Sequence, residues 1–425
     1  MFLYYCVRLD QFIDGLLTKE AAERPSDSAK PEDIKMQLPP WYDEKLFNKG
    51  RSFYWSNCFS LATSMFIGLI AVFSIPSILR VLVGSQRSSS CFTAYRRYLS
   101  TMLHTTAWFQ HELRPPTESW KSLEAVRTRH ARASRASCLR GGGPVSQRDI
   151  ALTQFGFLGF AVLRPTKFGL RGFSEDDWEA YNHFWRVIGY MIGLEDRYNI
   201  CRKNIHETRQ VLQILLDRVF TPCLTNVPEH FEHMSRVMID GLWSVNPTVN
   251  TEAALYYTKY MANVPGYVYT EEERIAFQIK LKGLLKDQPI DCGIRTEDLI
   301  EKPAIEGLPD TPLPLLYYKD YDVLDNVPTY KNLTWFERYK LNSNTLFMQL
   351  YSTNLGRIYF NLNYLWSLLL MKYFPYLAFY RFGIKQSFVN IFVEDPKDET
   401  KPKPNSEYQK VRILPWYKQI LAFFW

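Results

Sequence analysis

The sequence predicts an all-α fold: one large helical domain, a proline-rich arm, and apolar C-terminal helices. Three observations lead there. Apolar residues recur at spacings of three and four through most of residues 41–285, and no alternating run is long enough to build a sheet. The chain carries 28 Phe, 27 Tyr and 11 Trp against only 20 Gly, large side chains suited to packing between helices or lying at a membrane interface. At 425 residues, with 46% hydrophobic and 22% charged, it is long and apolar enough for a proper core, which excludes a disordered, collagen-like or coiled-coil chain. Mean hydropathy of −0.24 argues against a polytopic membrane protein. A net charge of +7 is mild and asks for no nucleic-acid partner. Seven scattered cysteines, none in a CxxC spacing, indicate neither a structural zinc site nor a disulfide scaffold, so the chain reads as reduced and facing the cell interior.

Residues 1–40 read as an amphipathic helix and a charged, proline-containing linker, without the uninterrupted apolar core of a signal peptide. Residues 41–285 form the main domain. Its most apolar stretch, 58–79, is long enough to span a membrane, but its serines and Pro76 suit a buried core helix better. Helices follow at 93–109 and 119–137, the second capped by Thr117; Ser146 caps the next, and Ser174 opens another with Glu175, Asp176 and Asp177 in its first turn. Further helices occupy 206–220, 231–243, 252–264 and 270–285. Residues 286–332 form the arm, 333–394 an apolar helical region, and 395–425 a charged linker with an aromatic tail.

Polar clusters interrupt these helices. Arg97, Thr101 and His104 recur at i, i+4 and i+7 on one face; Arg127, His130 and Ser134 follow one another at single turns; Ser146-Gln147-Arg148-Asp149 leads into Thr153. Taken one at a time, a helical histidine is a hydrogen-bonded core or surface residue, and the run Arg127, Arg129, Arg132, Arg135 is a solvated face.

Their order and spacing resemble the family joining rubber oxygenases (latex-clearing proteins) with the ER-bound MpaB-like oxygenases. The shared pattern is Arg97-x-x-x-Thr101, then Arg127-x-x-His130, then Gln147-x-Asp149-x-x-x-Thr153, then the aromatic–Gly–Gly-Leu helix 184–194. The likeness covers roughly residues 50–270. It implies a globin-like helical core holding haem b, with His130 as axial iron ligand, since a neutral imidazole on a rigid helix is a common one. It gives Arg97 and Arg127 to haem propionates or nearby carboxylates, and Thr101 and Thr153 to oxygen or the surroundings of the iron as hydroxyl donors. Arg97, Thr101, Arg127 and Thr153 are thus the implied catalytic set. Ser100 stands where some rubber oxygenases carry a distal lysine ligand, so a five-coordinate or water-bound iron is expected. Phe155 replaces a histidine, and Ser134-Arg135 an Arg-His pair, which turns the expected substrate from polyisoprene to a terpenoid or other lipid. The implied function is a haem-dependent oxygenase that uses O2 on, and cleaves a C=C bond of, an apolar substrate. It would sit at the cytosolic face of the endoplasmic reticulum membrane by a peripheral or single anchor, with the cytoplasm as the other location. The alternative is a non-catalytic relative that binds lipid or a membrane surface and has lost the cofactor.

Overall fold

The computed structural model describes residues 2–286 and 288–408. It is mainly helical, and its only strands among the described residues, Ile294–Arg295 and Leu315–Leu316, pair antiparallel. The N-terminal helix α1 (Phe2–Leu16) and the short α2 (Lys19–Glu23) lead into an extended stretch. That stretch was expected to be a linker. Instead it packs: the Ser26 amide donates to the Val145 carbonyl at 2.8 Å, and Arg24 pairs with Glu195.

The core begins with α3 (Glu44–Ser56), α4 (Cys58–Val72) and α5 (Pro76–Ser85). The run 58–79 is therefore two helices and not one. Pro76 supplies no amide to continue a helix but suits the first turn of a new one, so the chain breaks just before it. α6 (Cys91–Gln110), α7 (Glu118–Leu139), α8 (Gln147–Leu163) and α9 (Glu175–Met191) follow. Thr117, Ser146 and Ser174 cap their helices as the sequence foretold, and the last two close reciprocal capping boxes with Asp149 and Asp177.

α4 and α8 make the closest helix pair, and glycines set its depth. A Cβ on Gly68 would lie 1.9 Å from the Gly156 carbonyl oxygen, so any side chain there would force the backbones apart. Around this pair the abundant aromatics stack into a column. Phe47 lies against Phe184 at 4.9 Å, Phe184 against Phe109 at 4.1 Å, and Phe109 face to face with Tyr54 at 3.7 Å, tying α3, α6 and α9 together.

α10 (Ile205–Leu215) runs through a π-turn at 216–220 into α11 (Thr221–Thr225), and α12 (Phe231–Trp243), α13 (Thr251–Met261) and α14 (Glu271–Leu285) complete the domain. After the proline-rich arm come α15 (Pro328–Lys331), α16 (Trp335–Tyr351), α17 (Asn354–Tyr373), α18 (Tyr376–Phe382) and α19 (Ile384–Ser387). Residues 388–408, which include the expected charged linker, return as a strap across α6, α7 and α12. The Asp398 amide donates to the Gln86 carbonyl at 2.8 Å, and Asn405 Nδ2 to the Pro228 carbonyl at 2.9 Å. The aromatic tail proposed at 416–425 lies outside the described residues.

The glycine contact makes a clear expectation. Gly68→Ala should lower unfolding free energy by about 1–3 kcal/mol through overpacking, whereas Gly283→Ala, on the exposed side of α14 with nothing within 4 Å, should be neutral or stabilise by about 0.4–1 kcal/mol. Urea denaturation of the two variants checks this.

Candidate functional site

α6 and α7 lie side by side and carry most of the sequence-selected residues. Their contact is organised by a hydrogen-bonded chain. His104 is buried; its Nδ1 is 2.7 Å from Ser122 Oγ and its Nε2 is 3.1 Å from Arg129 Nη1. A guanidinium can only donate, so Nε2 accepts and Nδ1–H donates to Ser122. Trp108 Nε1 donates to the same hydroxyl at 2.8 Å. Burial, then the charge of Arg129, push the His104 imidazole down to about 3. This is a histidine with both nitrogens spent.

His130 differs. It is half-buried, its Nδ1 is closed off from solvent, and neither ring nitrogen has a hydrogen-bond partner among the described residues. Burial, then the positive charges of Arg97 and Arg129, push its pKa down to about 4. The ring is neutral at ordinary pH, and its lone pair is uncommitted.

The arginines divide by partner. Arg97 Nη1 donates to Ser85 Oγ at 2.9 Å and makes no ion pair within contact distance among the described residues. Arg127 Nε donates to Asp27 Oδ2 at 2.6 Å, so it has taken a nearby carboxylate supplied by the N-terminal stretch. Arg129, which sequence reading left on a solvated face, is instead the centre of the site's outer wall. Beside His104, it donates through Nη2 to the carbonyls of Ile391 at 2.6 Å and Val393 at 3.0 Å, pinning the strap. Arg87 holds Glu394 at 2.7 Å, and Asp395 lies in the field of Arg97, Arg129, Arg96 and Arg87 while burial holds its carboxyl above the usual range.

The third motif has been reassigned by its contacts. Gln147 Nε2 donates to the carbonyls of Ser26 at 3.2 Å and Gly193 at 3.0 Å, and its Oε1 accepts from the Glu195 amide at 2.9 Å. Asp149 caps its own helix and accepts from Ser77 at 2.6 Å. Both are structural ties. Arg148 between them has a buried Nε without a partner, and its guanidinium makes no hydrogen bond or ion pair among the described residues. The motif pointed at its neighbours and passed over it. Thr101 and Thr153 donate to carbonyls one turn back, Arg97 at 3.0 Å and Asp149 at 2.7 Å, so each must release that bond before donating elsewhere. Positions 155 and 134 are also structural here: Phe155 stacks on Phe220 at 4.1 Å, and Ser134 Oγ accepts from the Val145 amide at 3.0 Å.

Among the described residues, the arrangement brings an imidazole without a hydrogen-bond partner near enough to a cation without a contacting carboxylate for the guanidinium charge to bear on the ring. No group of three or more His, Cys, Asp or Glu able to hold a bare metal ion occurs among the described residues. A haem would ask for one imidazole ligand and cations for its propionates, the residue types that His130 and Arg97 supply.

Residues 57–268 match the family model described as ER-bound oxygenase mpaB/B'/rubber oxygenase, catalytic domain. No curated protein matches the chain. Among solved structures, latex clearing protein in its closed state is similar at 18% identity, over 79% of this chain and 84% of that one, with a TM-score of 0.42. The matched residues run from α4 through α13; the arm, α15 to α19 and the strap lie outside them.

The His104 chain yields a test. Because its folded pKa of about 3 lies below the ordinary 6.5, the unfolded chain binds a proton that the folded chain refuses between those values. The stabilisation is whole above about pH 6.5 and falls as pH drops toward about 3. His104→Ala should cost about 1–3 kcal/mol at neutral pH by removing the acceptor of Arg129 Nη1 and one of the two donors to Ser122 Oγ. It should also flatten the acid limb in urea titrations run from about pH 7 to about pH 4.

Proposed function

We propose that this chain, which over residues 57–268 belongs to the ER-bound oxygenase mpaB/B'/rubber oxygenase catalytic-domain family, is a haem-dependent oxygenase acting with O2 on an apolar terpenoid or lipid. The observation that carries the reading is His130, a half-buried imidazole kept neutral, whose enclosed Nδ1 has no hydrogen-bond partner among the described residues. Burying an unsatisfied polar nitrogen costs about 1–3 kcal/mol unless something binds it. An axial metal bond is the partner that a neutral imidazole on the Arg127-x-x-His130 motif suits best.

Haem, when bound, supplies the oxygen chemistry; the chain supplies placement and exclusion of water. His130 would hold the haem iron and Arg97 would answer propionate charge. Desolvation plus the neighbouring guanidinium groups keep His130 deprotonated, which is the state a ligand must have. Thr101 and Thr153 would serve as hydroxyl donors only after releasing the carbonyls one turn back in their own helices. No carboxylate acid–base pair is called for in adding oxygen to an alkene. On the same reading the protein acts at the cytosolic face of the endoplasmic reticulum membrane through peripheral or single-anchor attachment, which the ER-bound description of the matching family model supports.

A second reading, a lipid-binding relative without the cofactor, draws on a specific observation. Arg127, Gln147 and Asp149 are all spent on structural contacts. An absorption spectrum with an iron assay separates the two. The purified chain should show an intense Soret band with equimolar iron. His130→Ala should abolish the band while helicity by circular dichroism is kept, and His104→Ala should retain it. A colourless, iron-free protein after expression with added haem precursor would establish the second reading.

A further inference from the structure

Outside the family domain, α17 presents an arrangement that a water-facing helix does not normally have. Its inner side is anchored. Asn361 Nδ2 donates to the Ser56 carbonyl at 2.8 Å, its Oδ1 accepts from the Phe59 amide at 3.2 Å, and Tyr364 meets Tyr54, hydroxyl to hydroxyl, at 3.0 Å. Its outer side carries Leu355, Ile358, Leu362, Trp366, Leu369 and Tyr373, each more than half exposed. They recur at three and four, so they form one continuous apolar stripe about 30 Å long at 1.5 Å per residue. Exposed apolar side chains of α16 and α18, Phe347 and Tyr376 among them, widen it. A patch of this extent marks an interaction surface.

Charge selects the partner. Between residues 338 and 393 the chain has six Lys or Arg and no Asp or Glu. Lys372, Arg381 and Lys385 are exposed at the end of the stripe and beyond it. A two-fold contact with a second copy would bring like charges together, whereas an anionic lipid surface answers both the cations and the apolar face. No single helix among the described residues is long and apolar enough to cross a membrane. Lys372 near the C-terminal end of α17, with Asn354 and Asn363 exposed along it, suits a helix lying in the plane of the interface.

We infer that α16 to α18 form a platform that docks on the surface of an anionic bilayer, with the α17 stripe sunk among the headgroups and Lys372, Arg381 and Lys385 contacting lipid phosphates. A cavity of about 210 Å³ between Tyr95, Val245, Trp366, Met371 and Tyr376 opens beside this stripe. This inference rests on the membrane attachment proposed above and is independent of the cofactor.

The test is sedimentation of the full chain with phosphatidylcholine vesicles, with and without phosphatidylserine, combined with hydrogen–deuterium exchange. Binding should favour the anionic vesicles and weaken with salt, and protection on binding should fall within residues 335–382. The double variant Leu362→Glu, Trp366→Glu should lower vesicle affinity by about tenfold or more at unchanged circular dichroism, and Lys372→Glu, Lys385→Glu should remove the preference for anionic lipid. Should the variants misfold, the exchange pattern of the unaltered chain decides alone. Vesicle binding with no new protection in 335–382 overturns this inference and leaves the membrane attachment standing. Absence of any vesicle binding overturns both. Protection of the stripe before lipid is added, whether by a second copy or by the chain itself, also overturns it.

Discussion

Much of the site turns on one guanidinium. Arg129 satisfies Nε2 of His104 and two strap carbonyls at once, and each bond removes an alternative. With its acceptor filled, His104 cannot offer a lone pair to a metal. With Ile391 and Val393 held, the strap is fixed over the outer side of α6 and α7. The same positive charge helps to keep His130 neutral. Desolvation is the larger effect on both imidazoles, but desolvation alone would not distinguish them. Their hydrogen bonds do: one ring has two, the other has none.

The local parts of this architecture were legible in the sequence and the distant ones were not. Caps at Thr117, Ser146 and Ser174 can be read because donor and acceptor lie three residues apart and the side chain names the bond. The break before Pro76 was equally local, yet the proline reads as a sign that one helix is buried and not as the start of a second. By contrast, Arg127 finds Asp27 a hundred residues back, and Arg129 finds backbone carbonyls more than 260 residues ahead. Carbonyl acceptors leave no mark in a sequence, so Ile391 and Val393 read as the end of the apolar helical region 333–394 and the rest of the strap as a charged linker. The motif order correctly drew attention to α6, α7 and α8, but it could not say which polar residues in them were already spent. Gln147 and Asp149 hold the fold together, and Arg148, named in the same cluster, was given no role.

Periodicity has a related blind spot at α17. A helix with apolar residues on both faces scores as strongly apolar, which is what the sequence shows for 333–394. Which face is buried depends on the partners of Asn361 and Tyr364, and those sit at the α3–α4 bend, some 300 residues earlier. The charge pattern of 338–393, six Lys or Arg and no Asp or Glu, is clearer than the hydropathy. Lipid-facing and core-facing segments share apolar content, but a core segment has no reason to exclude carboxylates from its exposed positions while keeping lysine and arginine there.

The platform and the candidate site are joined through α6. Tyr95 Oη donates to the Ser387 carbonyl at 2.7 Å, and Arg96 donates to the carbonyls of Gln386 at 3.0 Å and Phe388 at 3.1 Å, so α19 is fastened to the helix that carries Arg97 one residue further on. From that fastening the chain continues directly into the strap that Arg129 holds. One covalent path therefore runs from the exposed apolar stripe, through α18 and α19, to the wall beside His130. Its bonds fall mostly on main-chain carbonyls, which any residue supplies. The side chains of 388–393 could thus change with little cost to the attachment, whereas Tyr95, Arg96 and Arg129, which supply the donors, could not.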